Sequence, residues 1–150
     1  TINAEIPTGG VWETTAAGIN TVSNVGIGTT NPETPLQVGD IYGVQTGIGT
    51  FDAMTNVLEN IDSFTIATND FLTAEYTLHL TNSAGTQVSK ALVMQNGTTS
   101  DSQEFAIMFS NSLLVSVGSS VFGGDCHLNV TPQTGISGLT TYRFTRQTML

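Results

Sequence analysis

The chain has 150 residues, of which only 10% are charged, and its 12 acidic side chains against 3 lysines and arginines give a net charge of −9. That balance excludes a nucleic-acid or anionic-membrane surface, because Lys90, Arg143 and Arg146 are too few to line a row of phosphates. A hydrophobic content of 39% is too high for a disordered acidic tail, and no apolar run approaches the roughly 20 residues of a membrane helix.

Residues 1–50 read as a slender Gly/Thr-rich region of short strands and turns. Ile2, Ala4 and Ile6 alternate with polar residues, which predicts a strand over Thr1–Pro7 and a turn at Thr8-Gly9-Gly10. Trp12, Ile19, Val25 and Ile27 follow in a Thr/Asn/Gly background. Gly26-Ile27-Gly28-Thr29 returns as Gly47-Ile48-Gly49-Thr50, and Asn31-Pro32 stops any helix between them. Leu36 and Val38 mark a brief strand. So few apolar side chains cannot close a core in one chain. Trp12, Ile19, Val25, Ile27 and Ile48 are therefore candidate interaction residues, to be buried by association.

Phe51, Met54, Leu58 and Ile61 fall at helical spacing, with Asp52 placed to cap, and predict a short helix over 51–61. It would be either a single helix on the β-domain or a small junction around a trimer axis. Phe51, Met54 and Leu58 join the candidate interaction residues.

From residue 62 to 150 the two-residue period of half-buried strands takes over. Strands are predicted at Ser63–Thr68, Ala74–Thr81, Gln87–Met94, Glu104–Ser110, Leu113–Val117, His127–Thr131 and Thr140–Arg146. Tyr76, Leu78 and Leu80 would share one buried face, and Phe105, Ile107 and Phe109 another. Asn96-Gly97 and Gly123-Gly124-Asp125 are turn sequences. Seven such strands predict an antiparallel β-sandwich, jelly-roll-like in type. The fold class is thus mainly β, in three parts: residues 1–50, 51–61 and 62–150.

The residues that could carry chemistry form no convincing set. Gly26-Ile27-Gly28 lacks the third glycine and the following helix of a dinucleotide fingerprint. Cys126 and His127 are adjacent on a strand and point to opposite faces, so they are no dyad; Cys126 with His79 stays geometrically open. Cys126, as the only cysteine, forms no internal disulfide. Asp101 with Glu104, and Asp62 with Asp70, are near in sequence, but carboxylate pairs need a cleft and a defined separation. No catalytic, cofactor-binding or metal-binding residue is assigned, and no cofactor is expected.

Ser23 to Val38, SNVGIGTTNPETPLQV, resembles the strand-turn units of fibre and structural proteins of tailed bacteriophages, marine cyanophages in particular. FTIATNDF, EYTLHL, LVMQNGT and TGISGLTTYRFTRQTML resemble the C-terminal domain of short virion structural proteins from such phages. The resemblance implies a non-enzymatic virion part, a homotrimer on the particle surface. Its N-terminal region, Trp12 included, would attach to other virion proteins, and its β-domain would face a host surface glycan or protein. A capsid-surface decoration protein is the alternative within that class. A small glycan-degrading enzyme and a secreted adhesin are the alternatives outside it.

Overall fold

The computed structural model describes residues 13–15, 18–20, 23–39, 42–66 and 72–149. Among them every regular element is a strand. The first five are β1 (Glu13–Thr15), β2 (Gly18–Asn20), β3 (Val25–Ile27), β4 (Leu36–Val38) and β5 (Tyr42–Ala53). β6 (Glu59–Thr65), β7 (Thr73–Asn82), β8 (Gly85–Gln95) and β9 (Ser100–Asn111) follow, then β10 (Val115–Phe122), β11 (Asp125–Pro132) and β12 (Gly138–Met149). β1 and β2 pair antiparallel. The rest form a seven-stranded sheet, in the order β3-β4-β5-β12-β7-β8-β9, and a three-stranded sheet, β10-β11-β6. All these pairings are antiparallel except β3 with β4.

The core lies between the sheets. Tyr76, Leu78 and Leu80 of β7, Ala91 and Val93 of β8 and Phe144 of β12 face Ile61 and Phe64 of β6, Leu114 and Val115, and Cys126, Leu128 and Val130 of β11. The expected alternation of β7 is therefore observed, and each predicted strand after residue 62 has its counterpart. The connectivity differs from that of a jelly roll, since β7, β8 and β9 run as a meander in one sheet.

The short helix over 51–61 is not formed. Residues 51–53 end β5, residues 54–58 turn, and residues 59–61 open β6. The apolar spacing that suggests a helix comes from two strands joined by a tight turn. Asn56 takes a φ of 60° there, a left-handed conformation that Asn tolerates. β5 also runs across the expected boundary near residue 50, and pairs with β12 from Tyr42↔Met149 to Ala53↔Gly138.

β5 explains the second glycine motif. Its inward positions are Gly43, Gln45, Gly47, Gly49, Phe51 and Ala53, set by pairing with the inward residues of β12. A Cβ at Gly47 would overlap the Phe144 ring, and one at Gly49 would stand 2.6 Å from Cζ of Tyr142. The bulk missing from β5 is supplied by aromatic rings leaning over from the next strand. Tyr142 and Phe144 stack at 6.4 Å, and Phe144 meets Tyr76 edge-on at 5.8 Å.

Phe105, Ile107 and Phe109 do not share a buried face; all three are exposed. Lys90 stands opposite Phe105 and Val88 opposite Met108, so β9 carries one extra residue against Ser89. Ala106 takes up this bulge with a φ of 50°. Phe105 is turned to the outer face beside Lys90, whereas Phe109 lies opposite the buried Gln87. Period counting assumes an unbroken strand, and the bulge defeats it.

Candidate interaction surface

The buried titratable groups are tied into the core. Arg146 Nη1 donates to Asp62 Oδ2 at 2.6 Å, and Tyr76 Oη donates to the same oxygen at 2.9 Å. Arg146 Nη2 donates to Gln45 Oε1 at 2.8 Å, and its guanidinium lies 5.0 Å from the centre of the Phe64 ring. This cluster joins β6 of the small sheet to β5, β7 and β12 of the large one. Burial raises the Asp62 carboxyl above its ordinary value, against the opposing pull of Arg146. Burial and the Asp62 charge hold the Tyr76 hydroxyl protonated. Burial also pushes the Cys126 thiol up to about 11, which is a thiol and not a nucleophile at neutral pH.

Two of the sequence pairs, Cys126 with His79 and Asp101 with Glu104, separate in space. Cys126 is buried between the sheets, whereas His79 is on the outer face of β7, so the two do not meet. His127 pairs instead with Asn60, Nδ1 to Nδ2 at 2.6 Å, and its Nε2 lies 3.3 Å from the Phe122 carbonyl. Asp101 stands opposite the exposed Met94, while Glu104 stands opposite the buried Ala91. Glu104 accepts from Gln87 Nε2 and the Val117 backbone N–H. Asp70 lies outside the described residues.

Besides the exposed apolar side chains of β9, two apolar patches lie at the ends of β12. At one end Met54, Val57, Leu58 and Leu139 are exposed. Their turn is held by hydrogen bonds from Val57 N to Met54 O, Asn56 N to Pro132 O and Gly135 N to Thr55 Oγ1, at 3.0, 3.1 and 3.2 Å. At the other end Leu72, Leu92, Met94 and Met149 are exposed. Thr73 pairs with both Met94 and Met149, which makes that patch continuous across three strands. A depression of ≈ 330 Å³ opens there between Thr73, Leu92, Met94 and residues 101–103.

Between these ends the outer face is mostly polar, with Ile48 and Val88 at the two sides of its central row. Register aligns Ile48, Arg143, His79 and Val88 in one row across four strands. Thr50, Thr141, Thr81 and Thr86 form the row on one side, and Thr46, Thr145 and Thr77 the row on the other. His79, Thr81, Thr141 and Arg143 line a depression of ≈ 240 Å³. Sequence reading misses this site because its members are some 60 residues apart, and only the β7–β12 register brings them together.

Of the interaction residues expected from sequence, Ile27, Ile48, Met54 and Leu58 are exposed, and Val25 is half-buried. Ile48 is 67% exposed, on the outer face. Phe51 is partly buried and packs against the core, its ring 6.3 Å from that of Tyr142. Ile19 pairs with Thr14 in the β1–β2 ladder. Trp12 and the strand expected over Thr1–Pro7 lie outside the described residues.

The chain matches no family model and no curated protein. In structure it is similar, distantly and in part, to phage tailspike proteins. One is the tailspike protein gp49 from Acinetobacter baumannii bacteriophage Fri1, a capsular polysaccharide depolymerase, with a TM-score of 0.42 and 16% identity over 74% of this chain. Another is the Acinetobacter phage vB_ApiP_P1 tailspike protein, with a TM-score of 0.40 and 14% identity over 71% of this chain. The chain spans 18% and 22% of the lengths of those two proteins.

Proposed function

We propose that this chain is a non-enzymatic structural module of a tailed-phage virion. It is a fibre-type part that associates with copies of itself, as a trimer, attaches to the particle by its N-terminal region and turns its β-domain outward. The observation that carries this reading is the exposed apolar surface at the two ends of β12, built on a hydrogen-bonded scaffold. Leu92, Met94, Leu139 and Met149 lie on the face of the large sheet turned away from the small one, alternating with the buried Val93, Thr140 and Thr148. The sandwich therefore cannot cover itself, and symmetric association is the ordinary way to bury what remains. The sequence resemblance described above supplies the virion setting.

Sedimentation velocity at micromolar concentration tests the assembly. The expected wild-type species is a trimer, and Leu58→Asp or Met94→Asp shifts it toward monomer without loss of the β circular-dichroism spectrum. A folded, cooperative wild-type monomer would overturn the proposal. Co-sedimentation with particles tests the attachment, and copy number per virion separates a fibre part from a capsid-surface decoration protein.

A further inference from the structure

The chain has three cations, and two of them are committed. Lys90 Nζ pairs with Glu75 Oε1 at 2.6 Å, and Arg146 is buried on Asp62. Among the described residues Arg143 has no carboxylate partner and no side-chain hydrogen bond, and it is exposed on the outer sheet face beside His79. A chain of net charge −9 thus presents its one uncommitted guanidinium on a flat strip, inside a depression lined by His79, Thr81 and Thr141. A guanidinium offers parallel N–H donors that match a carboxylate. The threonine rows on either side add hydroxyls that both donate and accept.

From this juxtaposition we infer that the Ile48–Arg143–His79–Val88 strip binds a carboxylate-bearing saccharide laid across the strands. The inference deepens the outward-facing part of the proposed function and rests on it. Charge complementarity selects the ligand class. A densely charged polyanion needs many cations and would be repelled by the remaining acidic surface. A neutral sugar would leave Arg143 unanswered. A uronic-acid chain brings widely spaced single carboxylates, ring faces for Ile48 and Val88, and hydroxyls for the threonines. The strand spacing of about 4.8 Å sets the pitch of the hydroxyl rows, comparable to the length of one sugar ring.

The test is a titration of the intact free protein with a galacturonic-acid tetrasaccharide, its methyl ester and sodium acetate, followed by amide chemical shifts and calorimetry. Expected are shifts confined to β5, β12, β7 and β8, and affinity for the acid at least about tenfold above that for the ester. Arg143→Gln should remove that preference and leave the thermal midpoint unchanged, because Arg143 holds nothing in the fold. Weakening by added salt should accompany binding of the acid only. The inference is overturned if neither saccharide shifts these strands, if the ester binds as well as the acid, if Arg143→Gln binds as the wild type does, or if acetate at equal carboxylate concentration reproduces the shifts. Particle attachment plays no part in this titration, so its failure would be read separately.

Discussion

Gly47→Ala should destabilise the protein even though alanine is ordinarily the better residue inside a strand. The added methyl would overlap Cζ and Cε1 of Phe144 and stand 3.1 Å from its Cδ1, where carbon atoms ordinarily approach to about 3.5–4.0 Å. Phe144 cannot simply turn aside, since it is stacked on Tyr142 on one side and meets Tyr76 on the other. Overpacking of this kind costs about 1–3 kcal/mol, and a blocked escape places it near the top of that range. Loss of glycine's freedom in the unfolded chain returns about 0.5–1 kcal/mol. The net is a loss of roughly 2 kcal/mol, or about 4–8 °C in thermal midpoint for a domain of this size. Gly118→Ala is the control. Nothing lies within 4 Å of a Cβ there and its backbone is not left-handed, so only the unfolded-chain gain of about 0.5–1 kcal/mol remains. Urea unfolding of the two variants should therefore move in opposite directions. Phe144→Leu should relieve most of the Gly47→Ala penalty in a double-mutant cycle. If Gly47→Ala proves neutral or stabilising, the account of β5 as a strand emptied for its neighbour's rings is wrong.

Tyr76→Phe removes a hydrogen bond to a buried carboxylate and should cost about 1.5–3 kcal/mol in denaturant unfolding; an unchanged midpoint would mean that the bond is not made. Because the folded carboxyl of Asp62 is raised above 3.8, the folded state holds its proton more tightly than the unfolded state does. The stability this group contributes is full below that value and lost as pH rises through the folded pKa. Relative to Asp62→Asn, wild-type stability should thus fall across that window and level off above it; a rise would contradict the direction. Cys126 should resist iodoacetamide at pH 8 in the folded protein and react once unfolded, whereas rapid labelling of the native protein would place it outside the core. Phe105→Ala should cost less than about 1 kcal/mol, because the ring is 40% exposed on the outer face; a loss of about 3 kcal/mol would return it to the core.

Alternation is readable wherever bulk alternates. Tyr76, Leu78 and Leu80 declare both the strand and its buried face, and Tyr142 with Phe144 do so for β12. Arg146 continues that inward set, so its burial was implicit in the spacing; the identity of its partner, 84 residues away, was not. β5 is unreadable by the same rule. Its inward positions include three glycines, so the side chains that fill its face belong to β12. The turn at 54–58 places Met54 and Leu58 outside but leaves their spacing helix-like. The Arg143 strip depends on register between four strands, a quantity that no local window of sequence contains.

The bulge at Ala106 has a consequence for keeping the protein in solution. β9 is an outermost strand, and its Phe-Ala-Ile-Met-Phe-Ser segment has no charge, no proline and no glycine. A straight strand of that composition is a ready template on which identical strands can add without limit. The left-handed residue breaks the ladder in the middle of the segment and turns its large side chains to different faces. Growth by backbone pairing along that edge is thereby disfavoured. One residue in an awkward conformation thus blunts the exposed edge as a template for strand addition.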